Sequence, residues 1–414
     1  MTNFAVISLH SSPLEQPGSG DGGGMNVYVR QLGSALARIG SSVSVYTRAT
    51  SPHDPAVLEI EPGLLVHHVP AGDLRHLPKE VLPELVDEFT ENVIQRIALG
   101  RAETPEVVHG NYWLSGIAAH RLKHHYEIPM ITTFHTLERV KAQGRTLPDD
   151  RVGERQRVAA EDQIASCSDI VLASCDHEAD DLRRHLGLES ERIHTVGLGV
   201  DHALFGHGDK KAARRAARLP KEGSLVLYVG RIQPLKGLYL AVQSFEKVLA
   251  RHPDSHLVVV GGPSGHLGEE ELARCLAFAE TRGFASRLIL RDPEPHLRLA
   301  SYYRAADLVV VPSRSESFGL VALEAMACGT AVVAASVGGL TSLVKQGRTG
   351  FLVDERSPEA FAAAMTKVLD GHFPRGKALR AALELSRGYS WRRAAAEVAA
   401  IAEGLSAREL LECA

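Results

Sequence analysis

The sequence predicts two α/β domains, each a mostly parallel sheet wrapped by helices, and three observations predict it. The 414 residues are too many for one ordinary core and suit two domains of roughly 200 residues each. Short β-branched runs alternate with helix-length amphipathic segments along the whole chain, the pattern of parallel strands joined by helical crossovers. The alternation starts again past residue 220 without any repeat of residue identity, so an architecture recurs and not a sequence.

In the first half, strands are expected near 4–9, 42–47, 107–109, 130–134 and 170–174, and helices near 24–39, 80–99, 113–125, 150–167 and 176–186. In the second half, 225–229 reads as a strand, 236–251 as a helix, 257–260 as a strand and 269–282 as a helix. Strands near 287–291, 308–312 and 331–334 follow, with a helix at 319–328 between the last two. An Ala-rich amphipathic helix comes after Tyr389-Ser390-Trp391. The boundary falls near 198–222, where glycines lead into the basic run Lys210, Lys211, Arg214, Arg215 and Arg218, either a solvated helix face or a phosphate patch. Domains are therefore expected at 1–200, with the helix of 389–414 packing back on it, and at 201–388. Such open α/β domains bind ligands in a cleft at the carboxyl ends of their strands.

Composition narrows the function classes. Apolar residues make up 44% and charged residues 23%, which excludes a disordered or fibrous chain. A formal charge of −4 argues against a nucleic-acid partner, which requires excess positive charge. Cys167, Cys175, Cys275, Cys328 and Cys413 match no C-x-x-C pattern, and an odd count suits no disulfide framework, so thiols in a reducing cytoplasm are expected. The N-terminus opens directly on the strand-like run 4–9, and the longest apolar runs fall far short of a membrane span, so a cytoplasmic protein is expected. The His-rich stretch Leu122-Lys123-His124-His125 has no Cys or carboxylate at ligand spacing, so no metal site is expected there.

Three strand-to-helix turns carry chemistry. Gln16-Pro17-Gly18-Ser19-Gly20-Asp21-Gly22-Gly23-Gly24-Met25-Asn26 follows the first strand; its glycines let backbone approach a ligand and its helix start directs N–H groups at an anion. It lacks the spacing of a dinucleotide fingerprint, and Thr47-Arg48 stands where that fingerprint needs an acid. Gly230-Arg231-Ile232-Gln233-Pro234-Leu235-Lys236-Gly237 places a guanidinium and an ammonium at a strand end, suited to a diphosphate. Glu316-Ser317-Phe318-Gly319-Leu320-Val321-Ala322-Leu323-Glu324 opens another helix, with carboxylates eight residues apart that accept from sugar hydroxyls.

Together, in this order, the three motifs resemble the retaining glycosyltransferases of family four, with the GT-B fold of two Rossmann-like domains facing a cleft. Within that family, His10-Ser11-Ser12-Pro13-Leu14, Tyr112-Trp113-Leu114-Ser115-Gly116 and His135-Thr136-Leu137 are most similar to members that move N-acetylglucosamine from a UDP-sugar to inositol phosphate. The resemblance implies a nucleotide-sugar donor held by Gln16, Pro17, Gly24, Arg231, Lys236, Glu294, Glu316, Gly319, Leu320, Val321 and Glu324. Arg231 and Lys236 would take the diphosphate, Glu324 the ribose, Glu316 the transferred sugar and the backbone at Glu294 the base. The phosphorylated acceptor would lie among His10, Asp21, Gly22, Gly23, Gly24, Met25, Asn26, Lys79, Tyr112, Thr136 and Arg157. His135 would stand beside the reacting carbon, with Arg231, Lys236 and Glu316 sharing the catalytic work. The resemblance also implies room for a structural Mg²⁺ at Tyr303, Arg304, Ala306 and Thr330, no cofactor required for the chemistry, and a homodimer. A sucrose-phosphate-synthase-like or secondary-metabolite transferase with another donor or acceptor stays open, as does a non-catalytic sugar-phosphate-binding protein.

Overall fold

Apolar runs of four to seven residues form strands buried on both faces, as a parallel sheet sandwiched by helices requires. The computed structural model describes residues 2–18, 20, 22–143, 151–371, 375–405, 409–411 and 413. By contacts the chain divides into two units: Met1–Glu15, Met25–Gly199 and Trp391–Ala414 form the first, and Gln16–Gly24 with Val200–Ser390 the second.

The elements leading through the first unit run β1 (Asn3–Ile7), α1 (Gly24–Arg38), β2 (Ser42–Arg48), β3 (Val57–Glu61), β4 (Leu64–Val69), a 3₁₀ helix at Lys79–Leu85, α2 (Val86–Ala98), β5 (Val107–Asn111) and α3 (Trp113–Tyr126). They continue with β6 (Met130–Thr133), α4 (Glu138–Gln143), α5 (Arg151–Cys167), β7 (Ile170–Ala173), α6 (Asp176–Leu186) and β8 (Ile193–Thr195). The sheet order is β3-β4-β2-β1-β5-β6-β7-β8, parallel apart from the β3–β4 pair. The strand order reverses at β1, where Ile7 faces Tyr46 of β2 on one side and Gly110 of β5 on the other. The loops after β1 and β5 thus leave from the switch point where such sheets bind ligands. α4 and β8 lie outside the expected elements, and two further differences stand out. The 57–69 hairpin was not anticipated, and the helix expected at 80–99 is a 3₁₀ turn followed by α2, with Pro83, which lacks an N–H, inside the 3₁₀ segment.

The second unit runs α7 (Lys210–Ala216), β9 (Leu225–Val229), α8 (Leu238–Leu249), β10 (His256–Val260), α9 (Gly268–Thr281), β11 (Leu288–Arg291), α10 (His296–Ala305) and β12 (Leu308–Val311). Then come α11 (Leu320–Ala327), β13 (Ala331–Ala335), α12 (Leu340–Leu343), β14 (Gly350–Val353), α13 (Pro358–Leu369) and α14 (Arg375–Arg387). Its sheet, β11-β10-β9-β12-β13-β14, is parallel throughout and reverses between β9 and β12. The Arg231 and Glu316 loops leave those two strands. The last helix, α15 (Trp391–Leu405), belongs to the first unit, and its Trp391 ring meets Tyr28 of α1 edge-on.

Residues Gln16–Gly24, expected within the first domain, pack with the second unit instead. Gly18 O accepts from Gly262 N (3.1 Å) and Gly20 O from Ser264 Oγ (2.7 Å), contacts that only a folded chain brings about. The basic run at 210–218 is partly structural: Lys210 and Arg214 both pair with Asp307. Cysteine counting also needs correction. Cys167 and Cys413 are 246 residues apart and are joined as a disulfide, while Cys175, Cys275 and Cys328 are buried outside that bond. Among the described residues, no helix is long and apolar enough to cross a membrane.

Candidate active site

On the second unit, the end of β9 turns through Gly230 at a φ of +148°. Arg231 follows, and its Nε lies 3.5 Å from where a Cβ at Gly23 would stand. That is ordinary van der Waals contact, so the glycine loop and the strand-end cation lie side by side. Gly24 likewise abuts Leu320 of α11, at 3.6 Å by the same construction. Lys236 ends a short 3₁₀ turn and donates from Nζ to Glu316 Oε2 at 2.7 Å, where Ser313 Oγ also donates at 3.1 Å. Two residues read as donor ligands are therefore paired with each other.

The Glu316 loop is held from behind by residues that the sequence motifs did not single out. Gly339 N donates to Glu316 O at 3.0 Å. Gly338 has a φ of +49°, and a Cβ on it would stand 1.8 Å from Glu316 O; one on Gly339 would stand 2.5 Å from Phe318 backbone. Gly319, at a φ of +103°, caps α11 and directs its first amides outward from the helix start, the ordinary anion-binding end of a helix.

Glu324 is buried on α11. Its Oε1 takes His296 Nε2 at 2.7 Å and its Oε2 takes Tyr303 Oη at 2.6 Å. Burial opposes charge on His296, but the Glu324 carboxylate outweighs it and raises its pKa. Both oxygens are thus oriented, with lone pairs remaining for a vicinal diol. Gln16 Nε2 donates to Glu294 O at 2.6 Å and to Pro17 O at 3.2 Å, so these three expected donor residues are neighbours.

The residues read as a Mg²⁺ set meet at the end of α10. Tyr303 O already accepts from Thr330 Oγ1 (2.7 Å) and Ala306 N (3.3 Å), and Arg304 extends to the carbonyls of Leu204 and Gly206. No carboxylate is among these four residues, and a hard cation at Tyr303 O would compete with the threonine hydroxyl.

On the first unit, Arg157 of α5 is buried and central. Its Nε reaches Glu161 Oε1 at 2.7 Å, Nη1 reaches Tyr112 Oη and Glu138 Oε2 at 2.9 Å each, and Nη2 reaches Thr136 O at 2.6 Å. Tyr112, Thr136 and Arg157, read from separated segments, are therefore brought together, and the His10 ring lies against Tyr112 at a 40° tilt with centroids 4.4 Å apart. The two carboxylates were missed; nothing in their spacing marks them, because α4 and α5 meet only in the fold. Burial works against the Arg157 charge, yet Tyr112, Glu161 and Glu138 raise its pKa on balance. Lys79 opens the 3₁₀ helix at Lys79–Leu85 and is half-buried. Asn26 is buried and donates to Ser11 Oγ and Ser12 O at 2.6 Å, tying α1 to the loop after β1. Gly22 accepts from Gly18 N at 3.0 Å within the glycine loop, and Met25 is half-buried in the first turn of α1. Asp21 lies outside the described residues.

His135 adopts a φ of +61°, and Tyr112 one of +77°. Among the described residues, the other non-glycine positive-φ positions are Glu127 and Arg218, both just past helix ends. Left-handed backbone costs such residues about 1–3 kcal/mol and collects at functional sites. His135 Nε2 stands 3.0 Å from Asn111 Oδ1, which only accepts, so Nε2 carries the proton. Burial, helped by His109, pushes the His135 pKa down to about 3, so its ring is neutral at physiological pH.

A family model described as Glycosyl transferases group 1 matches residues 209–383, and one described as a Glycosyl transferase 4-like domain matches residues 23–199. A Catenulispora acidiphila protein named D-inositol 3-phosphate glycosyltransferase 2 is 41% identical over 399 residues, covering 95% of this chain and 93% of its own. The Corynebacterium glutamicum protein named D-inositol 3-phosphate glycosyltransferase is 38% identical over 410 residues, covering 98% and 97%. The solved sucrose-phosphate synthase of Thermosynechococcus elongatus is 32% identical with a TM-score of 0.88, covering 98% of this chain and 99% of that one. Anabaena HepE, solved with UDP and glucose, shares the fold at 16% identity and a TM-score of 0.75, covering 98% and 100%. Two parallel α/β units, strand-end motifs in order and relatives along nearly the whole chain lead to one conclusion: the chain belongs to the family four retaining glycosyltransferases of the GT-B fold.

Proposed function

We propose that this glycosyltransferase moves N-acetylglucosamine from UDP-N-acetylglucosamine to an inositol phosphate. The observation that carries the reading is the meeting of Tyr112, Thr136 and Arg157 around one guanidinium, a candidate phosphate grip in a chain about 40% identical to proteins named for inositol 3-phosphate. Lys79 is the second cation of the grip, since Arg157 is largely offset by Glu138 and Glu161.

On the donor side, a diphosphate attracts Lys236 away from Glu316, and Arg231 joins it. The separation frees Glu316 to accept hydroxyls of the transferred sugar. The acceptor hydroxyl attacks from the face the diphosphate leaves, and its proton passes to a leaving phosphate oxygen. Arg231 and Lys236 stabilise the charge growing there, the term that usually dominates such catalysis. Neutral His135 orients and carries no formal charge. A Mg²⁺ bound at the end of α10 would supply stability only, and no step runs through it.

A panel of donors and acceptors read by product mass tests the proposal. Product from UDP-N-acetylglucosamine with inositol 3-phosphate is expected, and unphosphorylated inositol should fail. Equal turnover of inositol would sink the phosphate grip. Turnover of fructose 6-phosphate instead would favour the second reading, to which the sucrose-phosphate synthase likeness points. Lys236→Ala should abolish transfer with the fold retained.

A further inference from the structure

The geometry points to a Zn²⁺ site on the first unit, formed by His120, His124, Cys167 and Cys413, that fastens the C-terminal tail to α3 and α5. His120 and His124 are four residues apart on α3 and so share one face, the spacing by which helices present paired imidazoles to zinc. Their Nε2 atoms are 3.0 Å apart, with rings crossed at 87°. Cys413 Sγ lies 3.1 Å from His124 Nε2 and 3.4 Å from His120 Nε2. With the sulfur of Cys167, all four ligand atoms fall within 4.8 Å of one another.

Zinc binds nitrogen at about 2.0 Å and thiolate at about 2.3 Å, so the edges of its tetrahedron are about 3.3–3.8 Å. The nitrogen–nitrogen and nitrogen–sulfur separations need to open by only a few tenths of an ångström to reach about that size. Two imidazoles and two sulfurs, without a carboxylate, select zinc over magnesium or calcium. The frame around the cluster stands independently of the sulfurs. Asp169 accepts from Leu411 N (2.9 Å) of the tail, from Met130 N (2.7 Å) and from the buried Lys123 ammonium (2.9 Å), which also donates to Cys167 O (2.8 Å). Lys123 lies between the two histidines in sequence, so one helix supplies both the ligands and the anchor of their partners. The exposed His124 and half-buried His120 leave the ion a way in.

In the disulfide form, Cys167 and Cys413 are bonded to each other and cannot ligate as thiolates. A phosphine reductant with water converts that bond to two thiols and is itself oxidised to the phosphine oxide. Each thiol then gives up its proton as its Zn–S bond forms, so two protons leave per ion and no electrons move.

The test uses the full chain, freed of metal and reduced with a phosphine, titrated with Zn²⁺ against a chromophoric chelator and then with Co²⁺ for its tetrahedral thiolate spectrum. About one ion per chain is expected, with affinity falling at least about 100-fold in Cys413→Ser and in His124→Ala, and unchanged in His125→Ala. Cys413→Ser lies in the tail and leaves both units' sheets untouched, so its loss of metal cannot be assigned to unfolding. Uptake below about half an equivalent by the reduced protein, or undiminished uptake by those two variants, overturns the site.

Discussion

Replacing Gly338 with alanine presses on the backbone of Glu316, the residue proposed to hold hydroxyls of the transferred sugar, while leaving every side chain proposed to meet substrate unchanged. The new Cβ would stand 1.8 Å from Glu316 O, whereas real Cβ contacts essentially never fall under 3.0 Å. One of the two stretches of backbone must therefore retreat by about 1.2 Å, and the atom in the way is the backbone carbonyl oxygen of Glu316, whose side chain holds Lys236 at 2.7 Å. A displacement of about 1 Å in positioning groups costs on the order of 10²-fold in rate. The left-handed φ of +49° adds about 1–2 kcal/mol of strain to the folded state. Gly347→Ala separates the two effects: its φ is +68°, yet nothing lies within 4 Å of its Cβ. Steady-state transfer and urea unfolding of both variants provide the assay. Gly347→Ala should lose stability alone, and Gly338→Ala should lose stability and about 100-fold in kcat/KM. A folded Gly338→Ala protein with wild-type kcat/KM would refute the link between this loop and catalysis.

Arg157→Ala leaves Glu138 and Glu161 buried without their cation and should cost about 3–5 kcal/mol, seen as a lowered urea midpoint. Lys79→Ala should leave that midpoint unchanged and raise KM for the phosphorylated acceptor more than tenfold; an unchanged KM would remove Lys79 from the phosphate grip. Acid should weaken the first unit through its buried imidazoles. Burial pushes His67 and His109 down to about 4 and His135 to about 3 from 6.5, so their contribution is complete above pH 6.5 and is lost as pH falls toward 4. Glu161 and Glu178, raised by burial, act in the opposite direction. His109→Gln should flatten unfolding free energy against pH by about 1.4 kcal/mol per unit between pH 6 and 5, and an unaltered slope would refute the assignment.

Much of this molecule is legible in one dimension because its information is local. Apolar runs such as Leu225–Val229 and Leu308–Val311 read as strands since a parallel sheet buries both faces, leaving no polar alternation to obscure them. The exposed β3 lacked that signal and was missed. The donor motifs were visible for a related reason: strand-end loops carry Arg231, Lys236 and Glu316 within short stretches of chain, and glycines mark where backbone must turn or approach.

Partners far apart in sequence were not visible. Glu138 and Glu161 around Arg157, Gly338 and Gly339 behind Glu316, and His296 beside Glu324 carry no motif, because each is specified by where another element passes. The return of Gln16–Gly24 to the second unit follows from hydrogen bonds that Gly18 O and Gly20 O accept from Gly262 N and Ser264 Oγ, which no composition encodes. Cysteine spacing suggested unrelated thiols; folding joined Cys167 to Cys413 beside two histidines of α3. By itself, the sequence determined the strands, the turns and the kinds of charge at their ends, since periodicity and φ preferences act over a few residues. Only the tertiary structure decided which charges meet and which are neutralised, because burial and distance set an ionised group's partner and its cost.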